Sequence, residues 1–232
     1  MTISIITLFP EMFKGVFDLS IISRAQKKRK LKINIINLRD FGIGKHKTVD
    51  DKPYGGGAGM ILKVDVLHKA ITSIQKKEKN TKVILLDPKG KKYNQQTAIN
   101  LSKENHIILI CGHYEGYDER IKNYIDEEIS IGDYVLSGGE IPAMIIVDSI
   151  ARLIPGVLKK QEAVEIESFS EKEGGKLLEY PQYTRPEVYN KYSVPKILLS
   201  GNHKKITEFR KKESIKLTKK RRPDLLKDKI IK

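Results

Sequence analysis

The chain of 232 residues contains a single cysteine, Cys111. One cysteine cannot form an internal disulfide, which excludes a disulfide-stapled secreted scaffold and fits the reducing cytoplasm. The sequence has no uninterrupted run of about 18 apolar residues, so we expect no membrane span. The first ten residues lack the basic segment of a signal peptide, and we interpret them as a first β-strand.

Several motifs that would point to other functions are also missing. The glycine-rich residues 55–59 are not followed by Lys-Ser or Lys-Thr, which excludes a P-loop. No GxGxxG pattern follows a predicted strand, which argues against a nicotinamide enzyme. The five histidines lack metal-ligand spacing and one cysteine adds no ligand pair, so we expect no structural zinc.

Positive charge is what the chain has in excess. It carries 44 Lys and Arg against 29 Asp and Glu, a net charge of +15. Residues 201–232 hold 13 basic and 4 acidic side chains, a net of +9, which leaves +6 for the remaining 200 residues. Such charge favours a polyanionic partner, because Lys and Arg neutralise phosphates and release counterions. Codon bias is the alternative, but uniform drift would not concentrate the charge in one segment.

Short apolar runs alternate with amphipathic segments through the first two-thirds of the chain. We predict strands at Thr2–Leu8, Ile33–Leu38, Val83–Leu86 and Ile107–Cys111, and helices at Glu11–Lys28, Val64–Lys79, Gln95–Lys103 and Pro142–Leu153. Apolar strands alternating with helices predict an α/β fold whose parallel sheet is covered on both faces. Residues 159–180 are charged and contain glycines, which is typical of a mobile linker. Beyond them we predict a basic helix at Asn202–Leu217.

Three glycine-bearing segments are candidate ligand loops: residues 53–60, 111–116 and 129–142. The first is as compatible with a flexible loop as with a binding loop. The second follows a predicted strand directly, and the third leads into a predicted helix. Ligands of open parallel sheets bind where loops leave the carboxyl ends of the strands. The second and third segments therefore suggest a cradle for a small molecule.

Six long motifs occur in a fixed order along the chain: Thr48–Gly57, Gly112–Arg120, Ser130–Pro142, Tyr183–Pro186, Leu198–His203 and Arg221–Leu226. Together they resemble the TrmD family of tRNA (guanine-N1)-methyltransferases, which belongs to the SPOUT superfamily. The resemblance runs from Thr2 to about Leu226. It implies transfer of a methyl group from S-adenosylmethionine to N1 of the guanosine immediately 3′ of the anticodon, position 37 of tRNA.

The resemblance also implies an architecture. It predicts a parallel-sheet SPOUT methyltransferase domain with a deep C-terminal trefoil knot, a small helical C-terminal domain, and a homodimer with active sites at the subunit interface. On this chain we assign residues 1–160 to the knotted catalytic domain, 161–177 to a flexible interdomain linker and 178–232 to a basic helical tRNA-binding domain.

Methylation at guanine N1 needs a bound methyl donor, a base for the N1 proton and a cationic or donor group near O6. The resemblance assigns the donor to loops whose glycines let backbone groups approach the adenine. The residues carried over are Leu86, Pro88, Gly112, Tyr114, Glu115, Ile131, Gly132, Asp133, Tyr134, Val135, Leu136, Gly139 and Pro142. From composition alone, Ile131, Val135 and Leu136 are equally compatible with ordinary core positions, and Glu115 with a solvated loop acid.

Arg152 and Glu167 are the catalytic candidates. Arg152 matches the family's catalytic arginine and is the sole basic residue of the predicted apolar stretch Ile141–Leu158. Its guanidinium could contact O6 or the donor carboxylate, or merely satisfy the carbonyls of a helix end. In the linker the family keeps an aspartate two residues before a phenylalanine, where this chain has Glu167 before Ser168-Phe169. We hypothesise that Glu167 is the general base; the alternative is an acid that solvates the linker.

The resemblance and the charge together suggest a tRNA-binding set. It comprises Gly57, Gly59, Tyr183, Arg185, His203, Lys219, Lys220 and Arg221. The basic side chains would track phosphates, and the aromatic ones would stack near the target base. The family's reaction is associated with Mg²⁺, but no carboxylate cluster of this sequence marks a site for it.

Two other functions stay open. A related knotted methyltransferase could act on a ribose 2′-hydroxyl or on another base. A protein that kept the fold while the Asp-to-Glu change weakened or abolished catalysis could bind RNA without methylating it. Product nucleoside analysis separates the first from guanine-N1 methylation, and donor binding without methyl incorporation would identify the second.

Overall fold

A computed structural model of the chain describes residues 1–76, 80–159, 166–170 and 176–227. The chain divides into two compact units, Met1–Lys159 and Lys160–Lys232. The assignment of separate functions to such segments stays a prediction. No helix of the described ranges is long and apolar enough to cross a membrane.

The first unit is a mixed α/β fold around a five-stranded sheet whose neighbouring strands all run parallel. Its strands, in the spatial order β2-β1-β6-β5-β7, are β1 Thr2–Thr7, β2 Lys32–Asn37, β5 Thr81–Lys92, β6 His106–Cys111 and β7 Glu127–Ser130. A two-stranded antiparallel pair, β3 Asp50–Asp51 and β4 Ile61–Leu62, lies between β2 and β5 in the sequence. The predicted parallel α/β sheet is confirmed.

Within the described part of this unit, four α-helices accompany the sheet: α1 Ser20–Lys27, α2 Val64–Gln75, α3 Gln95–Leu101 and α4 Glu140–Ala151. The core forms two clusters. Ile107 and Leu109 pack in one of them, together with residues of α1 and α4, and Ile108 and Ile110 pack in the other, together with residues of α2. Successive side chains of a strand point to opposite faces, so both faces are covered. Each such burial contributes about 1.5–3 kcal/mol.

Two element predictions are wrong in the first unit. The continuous helix at Glu11–Lys28 is instead a 3-10 turn, Pro10–Phe13, followed by α1. The helical conformation is interrupted between them at Gly15, whose φ of +84° does not belong to a right-handed helix. Strand β5 does not end at Leu86 but continues to Lys92, with a register shift against β7 between Leu86 and Lys91. β7 itself was not predicted.

The remaining helix predictions differ only at their ends. The helix from Val64 is described to Gln75, and its predicted end at Lys79 lies outside the described residues. The helix from Gln95 ends at Leu101. α4 begins at Glu140, two residues before Pro142, which therefore lies in the first turn, where proline is tolerated.

The second unit contains a β-hairpin and a long helix. The hairpin pairs β8 Val188–Tyr189 with β9 Tyr192–Ser193 and was not predicted. The predicted basic helix is confirmed as α5, His203–Arg221, which runs four residues further than expected and is followed by the short α6, Asp224–Lys227. Asn202 caps α5, because its side-chain oxygen accepts a 3.1 Å hydrogen bond from the Lys205 amide.

Candidate functional site

The carboxyl ends of β6 and β7, together with the register shift in the neighbouring strand β5, surround one cavity of about 270 Å³ in the first unit. Strands β6, β5 and β7 lie side by side in the sheet, so the loops after β6 and β7 meet at the same edge. Residues 112–117 of the loop after β6, residues 86–89 of β5 at its register shift, and residues 129–132 and 134–139 from the end of β7 and the loop after it line the cavity. Fold topology thus brings together segments that are far apart in sequence.

Twelve of the thirteen residues predicted for the methyl donor line this cavity. The exception is Asp133, whose carboxylate is exposed and pairs with Lys92 Nζ at 3.1 Å. Val135 is 87% exposed and Leu136 37% exposed, and Ile131 is half-buried. The alternative that these three apolar residues belong to the core is therefore wrong. They present apolar surface at the cavity instead.

Glycine at position 139 is required by close backbone packing. The Gly139 amide donates a 2.8 Å hydrogen bond to the Gly112 carbonyl oxygen. A Cβ at position 139 would lie 2.6 Å from Cys111 Cα and 2.9 Å from the Gly112 amide nitrogen. Next to this bond, His113 and Gly138 form an antiparallel bridge. The loops after β6 and before α4 are therefore joined backbone to backbone at the cavity floor.

A buried carboxylate supports the start of α4 beneath these loops. Glu140 is 2% exposed, and its Oε1 accepts a 2.7 Å hydrogen bond from Thr7 Oγ1. The Thr7 hydroxyl in turn accepts a 2.9 Å bond from the Phe9 amide. Burial, reinforced by the Glu140 charge, raises the pKa of the Cys111 thiol well above its usual value. Cys111 is consequently a packed thiol and not a nucleophile at neutral pH.

Polar residues that sequence reasoning missed also line the cavity, among them Asp87, Lys89 and Tyr117. Asp87 is buried and accepts a 2.7 Å hydrogen bond from the Lys89 amide. Burial and the neighbouring Asp87 carboxylate raise the pKa of Tyr117, so its phenol stays protonated. Asp87 and Lys89 flank Pro88, and Tyr117 belongs to the matched segment 112–120, so the motifs contained the signal that would have found them.

The first glycine segment lies against the same cavity. The Glu115 amide donates to the Met60 carbonyl oxygen at 3.1 Å. Gly59 has a φ of +79°, and a Cβ there would lie 2.5 Å from Glu115 Cγ. Gly57 has a φ of +127° and is exposed. Of the two glycines predicted for tRNA, Gly59 thus adjoins the cavity residue Glu115.

The apolar stretch Ile141–Leu158 predicted that Arg152 lies inside a helix, and this prediction is wrong. α4 ends at Ala151, and Arg152 is its C-cap, with the amide donating to the Asp148 carbonyl oxygen at 3.4 Å. Its side chain is half-buried. A basic side chain at this end of α4 also suits the negative end of the helix dipole.

Glu167 lies in the second unit, beside a cavity of about 150 Å³ that Tyr180 and Arg210 also line. The Arg210 guanidinium stands 4.8 Å from the centre of the Tyr180 ring. Glu167 itself is half-buried in a turn whose Ser170 amide donates to its carbonyl oxygen at 3.1 Å. Residues 161–165 and 171–175 of the predicted linker lie outside the described residues.

The predicted tRNA-binding residues of the second unit are spread along it. Tyr183 and Arg185 are exposed just before the hairpin. His203 begins α5, while Lys219, Lys220 and Arg221 form its last turn. At about 1.5 Å per residue, these two ends are about 27 Å apart. The set therefore describes an extended surface and not a compact pocket.

Comparison with known proteins gives one consistent result. The family model described as tRNA (Guanine-1)-methyltransferase TrmD matches residues 1–228. The chain belongs to the TrmD family. This membership confirms the resemblance seen in the motifs, and it covers both units.

Three relatives named tRNA (guanine-N(1)-)-methyltransferase illustrate the similarity. One from Dictyoglomus turgidum is 55% identical over 224 residues, covering 97% of this chain and 89% of the relative. One from Clostridium botulinum (strain 657 / Type Ba4) is 56% identical over 227 residues, covering 98% and 92%. One from Endomicrobium trichonymphae is 51% identical over 236 residues, covering 98% and 100%. TrmD relatives are thus matched over nearly their whole length.

The Mg²⁺ associated with TrmD enzymes has no evident protein site here. Within the described ranges, no group of three or more His, Cys, Asp or Glu side chains could hold a metal ion. The acids that line the cavity are Asp87 and Glu115, and Glu140 at the start of α4 is bonded to Thr7.

Proposed function

We propose that this chain transfers the methyl group of S-adenosylmethionine to N1 of the guanosine immediately 3′ of the anticodon in tRNA. Family membership over residues 1–228 supports the reaction class. The observation that carries the proposal is the cavity formed by β5 and the loops after β6 and β7, which is lined by twelve of the thirteen residues that the motif resemblance assigns to the methyl donor.

The cavity residues fit a donor that has an adenine, a ribose and an amino-acid tail. Ile131, Val135 and Leu136 offer apolar surface to the adenine, and Gly112 and Gly139 expose backbone groups near it. Bound there, S-adenosylmethionine supplies an electrophilic methyl group. The chain's contribution is to hold the reacting atoms at near-attack distance, which is worth several kcal/mol of barrier.

Two side chains would handle the charges that move when guanine N1 is methylated. As N1 bonds to the methyl carbon, the S–C bond electrons pass to the sulfur and the N1 proton must leave. We assign that proton to the Glu167 carboxylate and the charge developing on O6 to the Arg152 guanidinium. Glutamate accepts the same proton as the family's aspartate, through a side chain one methylene longer.

The tRNA would be held chiefly through phosphates on the second unit. α5 carries Lys219, Lys220 and Arg221 in its last turn, and basic residues outnumber acidic ones along the whole helix. Tyr183 and Arg185 are exposed and free of secondary structure, as expected of side chains that stack on a splayed base. We accordingly retain residues 178–232 as the tRNA-binding domain, 161–177 as the linker and 1–160 as the catalytic domain.

Family membership also supports a deep trefoil knot in the first unit and a homodimer with active sites at the subunit interface. An exposed apolar patch on the first unit favours a second copy. Its members lie on the segment before α1 and on one face of α4: Phe9, Met12, Val16, Leu19, Ile141 and Ile145. Monomers seldom leave so many neighbouring large apolar side chains exposed.

Methyl transfer to defined tRNA transcripts tests the proposal directly. The protein is incubated with labelled S-adenosylmethionine and an unmodified transcript, which is then digested to nucleosides. We expect 1-methylguanosine, and no incorporation into a matched transcript with adenosine at position 37. A 2′-O-methylated or differently methylated nucleoside would place the chain with another knotted methyltransferase. Donor binding without incorporation would point to an RNA-binding protein.

A further inference from the structure

The two most deeply buried residues of the long helix α5 carry hydroxyl groups. Its buried residues are Ser214, 7% exposed, and Thr218, 0% exposed. Positions four apart lie on one face of a helix, where a surface helix ordinarily places Leu or Ile. Two hydroxyls at these positions indicate that α5 binds polar groups on its inner face.

Those two hydroxyls form hydrogen bonds with both the amide and the carbonyl oxygen of Leu178. Thr218 Oγ1 accepts a 2.9 Å hydrogen bond from the Leu178 amide and donates at 2.8 Å to the Ser214 carbonyl oxygen. Ser214 Oγ donates to the Leu178 carbonyl oxygen at 2.5 Å. Residues 176–180 form neither helix nor strand, so their backbone groups need such side-chain partners when buried.

The same segment holds the turn that contains Glu167. The Glu179 amide donates to Ser168 Oγ at 2.9 Å, and the Phe169 amide donates to the Leu177 carbonyl oxygen at 2.8 Å. Phe169 has a φ of +69°, a conformation that a bulky residue adopts only when its surroundings impose it. A continuous series of hydrogen bonds thus connects α5, residues 177–179 and the turn 167–170.

We propose that Ser214 and Thr218 are positioning residues for the reaction and fix Glu167 relative to α5. This inference rests on the proposed function, in which Glu167 takes the N1 proton. Thr218 directly precedes Lys219 and Lys220, so the helix that would dock tRNA phosphates also holds the turn bearing the base. Docking on α5 then places Glu167 in register with the bound tRNA. Displacement of a catalytic group by about 1 Å can lower the rate about 100-fold.

The test is Thr218→Val, which keeps the side-chain shape but removes the hydroxyl. We expect kcat to fall about 10- to 100-fold, with KM for tRNA changed less than about twofold, because the basic face of α5 is intact. Thr218→Ser restores the hydroxyl and should restore most of kcat. Thr207→Val is the matched control: its hydroxyl donates within α5, to the His203 carbonyl oxygen at 3.0 Å.

A merely structural role is separated by combining variants. If Thr218 acts through Glu167, Thr218→Val added to Glu167→Gln causes little further loss of kcat, whereas a general folding defect lowers the residual rate in both backgrounds. Ser214→Ala tests the same link should Thr218→Val fold poorly. Full kcat in Thr218→Val and Ser214→Ala, with Glu167→Gln impaired, would overturn the positioning role alone. Full activity of Glu167→Gln would overturn the base assignment and this inference with it, and absence of 1-methylguanosine with the unaltered protein would overturn the proposed function.

Discussion

The Gly139 amide donates to the Gly112 carbonyl oxygen at 2.8 Å, so the loop after β6 and the loop before α4 share one backbone hydrogen bond at the floor of the cavity. Neither loop is regular structure, and glycine at both positions lets their backbones approach this closely. The geometry of the proposed donor site therefore depends on a contact in which no side chain takes part.

Gly139→Ala should weaken donor binding. The added Cβ would meet Cys111 Cα at 2.6 Å and the Gly112 amide nitrogen at 2.9 Å, and backbone cannot yield as a flexible side chain can. The two loops must separate, which we expect to raise the Kd for S-adenosylmethionine at least about tenfold. Isothermal titration calorimetry measures the Kd of each variant for S-adenosylmethionine. Gly44→Ala controls for a general loss of stability: its φ of +69° disfavours alanine, but its Cβ would have nothing within 4 Å, so the Kd should stay within about twofold.

Thr7→Val should destabilise the first unit. Valine has the shape of threonine but leaves the buried Glu140 carboxylate without the 2.7 Å donor of Thr7. Loss of one partner from a buried polar pair costs about 1–3 kcal/mol, which urea denaturation would reveal as a lower unfolding free energy. Thr2→Val, at the other end of β1 and half-buried, should change it by less than about 0.5 kcal/mol. Equal effects of the two substitutions would contradict the support assigned to Glu140.

The sequence predicts the centre of the sheet better than the edge formed by β7. All six residues of β6 are buried, and the uninterrupted apolar run from Ile107 to Cys111 displays this directly. The second half of β5 and all of β7 lack such a run, since one contains Pro88 and Gly90 and the other begins with two glutamates. These strands form because they pair with each other across a register shift. That pairing is a long-range property that no local pattern contains.

The site residues, too, could be predicted from the sequence only in part. Motif resemblance located twelve cavity residues, but not that Val135 would be 87% exposed, because an apolar residue between apolar neighbours looks like core. The apolar pattern placed Arg152 inside a helix that in fact ends one residue earlier. Hydrogen bonds of Ser214 and Thr218 to Leu178 could not be predicted, because nothing in the sequence of a polar helix states which segment its hydroxyls contact.

Cys111 should resist alkylation in the folded protein. Burial and the Glu140 charge raise the pKa of its thiol, so the folded state keeps it protonated where a free thiol ionises, near pH 8.5. At pH 8.5 we expect iodoacetamide to react at least about 100-fold more slowly than in urea, as followed by mass spectrometry. The stabilisation from keeping this thiol neutral is complete below about pH 8.5 and is lost as the pH rises above it. Labelling at equal rates in both conditions would show that the thiol is accessible.

Lys219→Ala should weaken tRNA binding and reduce its salt dependence. Each phosphate contact that is lost lowers the slope of log K against log salt by about 0.7–0.9, since one fewer counterion is released. Fluorescence anisotropy with labelled tRNA between 50 and 200 mM salt, about the range over which such effects are large, measures both quantities. Lys103→Ala, an exposed lysine beyond α3 in the first unit, removes the same charge at a site without a proposed phosphate contact. Identical slopes for the two variants would contradict phosphate contact at Lys219.

Glu167→Gln should separate proton removal from binding. The amide is nearly isosteric with the carboxylate but cannot take the N1 proton, so we expect kcat to fall about 10²- to 10⁴-fold. The Kd for S-adenosylmethionine should stay within about twofold, because the proposed donor residues all belong to the first unit. Glu167→Asp, which restores the carboxylate that the family keeps at this position, should retain far more activity than the amide. Glu187→Gln, an exposed glutamate of the same unit, controls for loss of one negative charge. Comparable rates for Glu167→Gln and Glu187→Gln in single-turnover assays would show that another group accepts the proton.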